Sequence, residues 1–155
     1  MLINALGLLS VAMAVCAETA GHRRRDGFAS MHGDATGGEL LTRPLCFRGK
    51  HLFVNLAAAE GSLEVELLDQ DGNLLETSLP IQGDATLLRV KWKQWADLAG
   101  ASGKPVRFRF RVTNGDLYSF WVSPSASGAS QGYIAGGGPG LTGPTDTVGK
   151  EAYER

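Results

Sequence analysis

Gly128-Ala129-Ser130-Gln131-Gly132 spells the G-x-S-x-G pattern that can present a nucleophilic serine. That chemistry needs a strand running into a helix, so that the strained turn exposes the serine Oγ, and a histidine base beside it. Here small polar residues precede the pattern and a glycine run follows. The three histidines, His22, His32 and His51, all lie upstream. These surroundings indicate a loop. Glu64 and Glu66 suggest a second chemistry: two residues apart on one strand face, their carboxylates approach the ~5–5.5 Å separation of a retaining glycosidase. They occupy what reads as an open polar face, where nothing would desolvate one of them and raise its pKa. A solvated ion-pair face is the reading that fits.

Asp69-x-Asp71-x-Asn73 starts like a calcium loop, which wants glycine at its sixth position and glutamate at its twelfth. Leu74 and Pro80 stand there, and Gly72 sits where a hairpin turn would use it. We expect a turn. No metal site and no cofactor is expected, since the chain has no ligand cluster, no P-loop and no strand-linked G-x-G-x-x-G. Trp92, Trp95, Tyr118 and Trp121 could stack on a sugar, although aromatics on strands more often fill a core. Trp121 with Arg107, Arg109 and Arg111 is the best candidate ligand-binding set.

The elements that position these residues read as strands. Arg107, Arg109 and Arg111 alternate with Phe108, Phe110 and Val112, the period of a half-buried strand. Asn114-Gly115 then predicts a hairpin, with Leu117 to Val122 returning as a second strand. A two-residue turn would set Trp121 opposite Phe108 on the apolar face. A three-residue Thr113-Asn114-Gly115 loop with a bulge turns Trp121 to the arginine side and gives a core face of Phe108, Phe110, Tyr118, Phe120 and Val122. The second register is favoured because that face is more uniformly apolar.

Upstream, strands are expected at 39–47, broken near Pro44, and at 51–56, 62–68, 74–78 and 86–93, with a helical turn at 95–98. Leu63, Val65 and Leu67 alternate with the glutamates. Leu88, Val90 and Trp92 alternate with Arg89, Lys91 and Lys93. About eight short strands with glycine-rich turns, and no helix long enough for a βαβ crossover, predict an all-β antiparallel β-sandwich. Two basic strands side by side would repel, so the glutamate strand, or something external, is expected to contact at least one arginine row.

The chain has 155 residues, room for one domain and one core. With 15 basic and 16 acidic residues its formal charge is -1, so no global field favours nucleic acid or an anionic membrane, and the apolar run Leu6 to Cys16 is too short for stable membrane insertion. Residues 1–17 carry no charged side chain, and Leu6 to Cys16 has the length of a signal peptide. Val15 and Ala17 fit the small-residue cleavage rule, although no Lys or Arg precedes the apolar run. The expected organisation is a signal peptide at 1–17, a sandwich domain at 18–124, and a Gly/Pro-rich segment at 125–155 that packs on or frays from the sandwich. Localisation would then be periplasmic or extracellular. Cleavage leaves Cys46 as the sole cysteine, which excludes an intrachain disulfide. Cys46 reads as a small core residue.

Four stretches carry a resemblance. They are R-R-D-G-F-A-S-M at Arg24 to Met31, the run from Leu41 through T-R-P-L to K-H-L-F-V-N-L ending at Leu56, N-G-D-L-Y-S-F-W-V-S at Asn114 to Ser123, and G-G-G-P-G-L-T-G-P-T-D at Gly136 to Asp146. Together they resemble the C-terminal β-sandwich module of exported bacterial proteins related to glycoside hydrolase family 32, of planctomycete type. In that family a five-bladed propeller carries the catalytic carboxylates. Arg25-Asp26-Gly27 is not the family's Arg-Asp-Pro, and neither its Asn-Asp-Pro nor its Glu-Cys motif occurs here, so no catalytic residue carries over. The resemblance implies a non-catalytic ancillary module, partnered by a glycosidase-type propeller domain or a polysaccharide. The alternative is a carbohydrate-binding module using Trp121 and the nearby arginines. It also leads to the expectation that the face of Arg107, Arg109 and Arg111, with Leu117 and Trp121 nearby, is a partly exposed remnant of an interdomain surface.

Overall fold

The computed structural model describes residues 29–132 and 143–153. The signal-peptide reading of 1–17 lies outside them, as do most of the first and last stretches of the resemblance. The described chain is all-β and antiparallel, a sandwich-like sheet that nearly closes into a barrel. Its strands are β1 (Met31–Gly33), β2 (Gly38–Leu41), β3 (His51–Asp69), β4 (Leu74–Thr77), β5 (Ile81–Arg89), β6 (Val106–Thr113) and β7 (Gly115–Ser123).

The strands expected separately at 51–56 and 62–68 are one 19-residue strand, β3, and every other pairing is organised around it. Along one edge β7 pairs with its first half, from His51↔Ser123 to Ala57↔Asp116. On the same edge β6 pairs with its second half, from Ser62↔Thr113 to Asp69↔Val106. Along the other edge lie β5 and β4. The outer strands β1 and β2 pair with β7 and β6.

This arrangement corrects the hairpin expected at Asn114-Gly115. β6 and β7 do not pair with each other; they are successive halves of one segment that runs antiparallel to β3 throughout. The left-handed backbone expected there is real, with Asn114 at φ 46, but it makes a bend rather than a reversal. Ring contacts show how sharp the bend is. Phe110 and Phe120 have ring centroids 4.6 Å apart, although ten residues of straight strand would separate them by ~33 Å. The sheet therefore folds over at Asn114, and its two halves face each other.

Glycines permit that close approach. A Cβ on Gly61 would run into the carbonyl oxygens of Thr113 and Asn114, and one on Gly115 would sit 2.6 Å from the Ala58 Cβ. Between the facing halves lie Leu52, Val54 and Leu56 from the first half of β3 and Leu63, Val65 and Leu67 from the second. Phe108, Phe110 and Val112 of β6 join them, all at 0% exposure. Each such side chain contributes roughly 1.5–3 kcal/mol of transfer free energy, so the folded-over sheet is held mainly by this core.

Three smaller differences follow from the same packing. β5 ends at Arg89, and the chain then crosses back so that Lys91 O accepts from Leu79 N at 2.8 Å and Lys93 N donates to Thr77 O at 2.9 Å. That return places Val90 and Trp92 in the core. The helical turn forms at Ala99–Ala101 instead of 95–98. Cys46 is exposed, because its neighbours Leu45 and Phe47 are the ones that pack against the core.

Candidate functional site

The arginine row lies on the outward face of β6. The register sets Arg111 beside Glu64 and Arg109 beside Glu66 on β3, and Arg111 beside Glu39 on β2. Arg109 Nη1 donates to Glu66 Oε2 at 2.8 Å and Arg111 Nη1 to Glu66 Oε1 at 2.6 Å. Glu39 approaches Arg111 Nε at 3.3 Å and Arg109 Nε at 3.5 Å. Its hydrogen bond, followed by the nearby charges of Glu66 and Glu39, holds the Arg111 guanidinium above its ordinary pKa. On the other side of β3, Lys93 Nζ lies 3.4 Å from Glu64. The remaining arginine, Arg107, donates through Nε to the Gln70 carbonyl at 3.2 Å.

The glutamate strand thus contacts the arginine row, as expected, and Lys93 reaches Glu64 from the other side, across β4. The row is half-exposed, as expected, but the charges of Arg109 and Arg111 are matched by carboxylates, while Arg107 meets a backbone carbonyl. It is sheet electrostatics and not an uncovered cationic surface. Each exposed pair is worth ~0–1 kcal/mol. Glu64 and Glu66 are correspondingly committed as ion-pair partners; Glu64 is partly exposed, but the arginines cover Glu66, whose side chain is 12% exposed, so the face is less open than expected.

Trp121 is not part of this cluster. Phe120 points inward onto Phe108 and Phe110, so its neighbour Trp121 points to the other side of β7. Neither register weighed is realised: β6 and β7 do not pair, and although Trp121 points away from the core as the favoured register required, it does not lie on the arginine side. Because the sheet is folded over, that outer face lies on the opposite side of the sandwich from the arginines. There Trp121 stacks on Phe53 at 5.7 Å and donates its indole N–H to the Gly128 carbonyl at 3.0 Å. The tentative ligand set of Trp121, Arg107, Arg109 and Arg111 is therefore not assembled on one surface. Leu117, expected near an exposed face, is buried at 4% exposure. Trp92 is buried and Trp95 packs against the core, so these two provide no stacking platform.

The segment after Pro124 covers this outer face of β3 and β7. Ala129 and Ala152 are buried, and Gly128 lies so close to Leu87 and Phe53 that a Cβ there would come within 2.9 Å of Leu87. Ser123 Oγ donates to the Ala129 carbonyl at 2.7 Å. The carboxylate of Asp146, 1% exposed, accepts from Ser130 N at 2.9 Å and from Gly149 N at 2.8 Å. The backbone of Asp146 closes the arrangement by pairing with Gln131 and Gly132. The G-x-S-x-G pattern is thus a packed loop, with Gly128 at φ 80 and Gln131 at φ 59, and Ser130 has a carboxylate at its backbone N–H in place of a strand-to-helix elbow.

Asp69 likewise spends its oxygens inside its own turn, accepting from Asp71 N, Asn73 N and Asn73 Nδ2 at 2.8–2.9 Å. Those bonds, chiefly from Asn73, hold its carboxyl below the ordinary range. Among the described residues no group of three or more His, Cys, Asp or Glu could hold a metal ion, and no helix is long and apolar enough to cross a membrane.

Sequence reasoning missed one buried polar contact. His51, 8% exposed, lies with Nδ1 2.9 Å from Arg89 Nη2. A guanidinium can only donate, so Nδ1 accepts and the imidazole is neutral. Burial, and then the charge of Arg89, lower its pKa from 6.5. The unfolded chain therefore binds a proton that the folded chain refuses, and stability falls as pH drops through 6.5 towards the folded value. The urea midpoint should decrease between pH 7.5 and pH 5, and His51→Gln should flatten that slope. An equal slope in the variant would assign the pH dependence elsewhere.

Fold and site define a class: an all-β antiparallel sandwich in which Arg109 and Arg111 are paired with carboxylates of neighbouring strands and residues 125–132 and 143–152 pack on one face. No protein-family model, curated protein or solved structure matches the chain.

Proposed function

We propose that this chain is an exported, non-catalytic β-sandwich module with a structural or docking role beside glycosidase-type domains. The observation that carries it is the commitment of Glu64 and Glu66 to Arg109, Arg111 and Lys93. The one carboxylate pair two residues apart on a strand face is thereby engaged by cationic side chains, whereas a glycosidase's general acid needs surroundings that raise its pKa. The resemblance of the four sequence stretches to a propeller-associated sandwich supports the same reading. Purified protein should give no hydrolysis above buffer on fructans, sucrose or aryl glycosides. Turnover that survives repurification would overturn the proposal. The carbohydrate-binding alternative draws less support, since Trp121 and the arginines face opposite ways. An in-frame propeller in the DNA upstream of Met1 would identify the partner domain directly.

A further inference from the structure

β2 uses only one of its edges among the described residues, pairing with β6 from Gly38↔Val112 to Leu41↔Arg109. Thr42 N donates to Phe108 O at 2.9 Å, which extends the same register. In an antiparallel ladder the residues that bond a given neighbour alternate. Gly38, Leu40 and Thr42 therefore direct their backbone groups at β6, while Glu39 and Leu41 direct theirs at the edge that no other described strand pairs with. Leu41 is also one of the large apolar side chains that stay exposed, at 43%. Glu39 and Arg43 flank it at two residues on either side, with opposite charges, and both are exposed; Glu39 also pairs with Arg109 and Arg111 of its own chain, so a partner's Arg43 would share its carboxylate.

We propose that this edge pairs with the same edge of a second copy of the chain, antiparallel and centred on Leu41. That register sets Leu41 against Leu41 of the partner and Glu39 against Arg43 of the partner, twice by symmetry. It also places the outward N–H and C=O groups of both copies opposite one another, as a hydrogen-bonded antiparallel pair requires. A slip of two residues in either direction sets a charge against leucine and leaves the other charge unmatched. Edge strands are usually protected by charge against self-association. Here the two charges are of opposite sign and symmetric about an exposed leucine, so they favour one self-pairing. Beyond Arg43 the strand is irregular: pairing with β6 resumes at Leu45 and Val106, one residue out of step with Thr42 and Phe108, so the regular edge ends there.

Sedimentation equilibrium on the full chain, from about 5 to about 200 µM, tests this. The contact is short, so a dissociation constant of roughly 1–100 µM is expected. Leu41→Lys should raise it at least about tenfold without changing the melting temperature. Arg43→Glu, which opposes two glutamates, should raise it by about the same factor. Arg43 lies outside the strand, so this variant carries the test if Leu41→Lys fails to fold. Leu74→Lys, at an exposed leucine on β4, should leave the dimer intact. A wild-type chain that stays monomeric at about 200 µM overturns the proposal, as does a dimer that survives both β2 substitutions.

Discussion

Gly61→Ala should destabilise the protein by about 4 kcal/mol or more, enough to leave most of a marginally stable domain unfolded. The added methyl would have to occupy the space of the Thr113 and Asn114 carbonyl oxygens. Those atoms are backbone, fixed by the pairing of Ser62 with Thr113 on one side of the bend and of Ala57 with Asp116 on the other. Relieving the clash means separating β3 from the β6–β7 segment where the sheet folds over. Phe120 would then lose its place against Phe108 and Phe110. Gly100→Ala makes a suitable control, since nothing lies within 4 Å of a Cβ there and its φ is not left-handed. Its effect should be within ~0.5 kcal/mol. Urea denaturation followed by near-ultraviolet circular dichroism reads both. A Gly61→Ala midpoint close to wild type would mean that the bend does not depend on this close approach.

Asp146→Ala should have the second largest effect, a loss of about 3 kcal/mol, from hydrogen bonds to a buried carboxylate worth roughly 1.5–3 kcal/mol apiece. The carboxylate joins Ser130 N to Gly149 N and so ties the two ends of the C-terminal segment together. Without it the segment is expected to lift from β3 and β7 while the folded-over sheet survives. Trp121 reports this directly, because its indole N–H is bonded to the Gly128 carbonyl. A red-shifted emission and new protease cleavage within 125–132 are the expected signs. Asp146→Asn keeps an acceptor and should lose less. If Asp146→Ala leaves emission, cleavage and melting unchanged, the segment is held by its apolar contacts alone.

Much of the second half of the fold was legible along the chain. Leu63-Glu64-Val65-Glu66-Leu67 and Arg107-Phe108-Arg109-Phe110-Arg111 each state which side is buried, and their outward charges are opposite. Strands so patterned gain by lying side by side, and β3 and β6 do so in the register that opposes Glu64 to Arg111 and Glu66 to Arg109. Asp69 to Asn73 was legible as a turn for the same reason of locality: its hydrogen bonds stay within five residues. Alternation with Phe120 pointed Trp121 away from the core, but it placed the ring with the arginines, where it does not lie.

What only the tertiary structure decided was which strands are continuous and which surfaces face each other. Asn114-Gly115 offers the same left-handed backbone to a reversal and to a bend. The choice fell to long-range packing, because β3 runs unbroken past residue 57 and supplies a pairing edge for both β6 and β7. Once the sheet folds over, outward residues on one segment point to opposite sides of the molecule, and this separates Trp121 from the arginines. The His51–Arg89 contact and the Asp146 clasp join residues 38 and 16 positions apart. Neither leaves a periodic trace, since periodicity records how a strand meets the core and not which polar groups meet once the chain has folded.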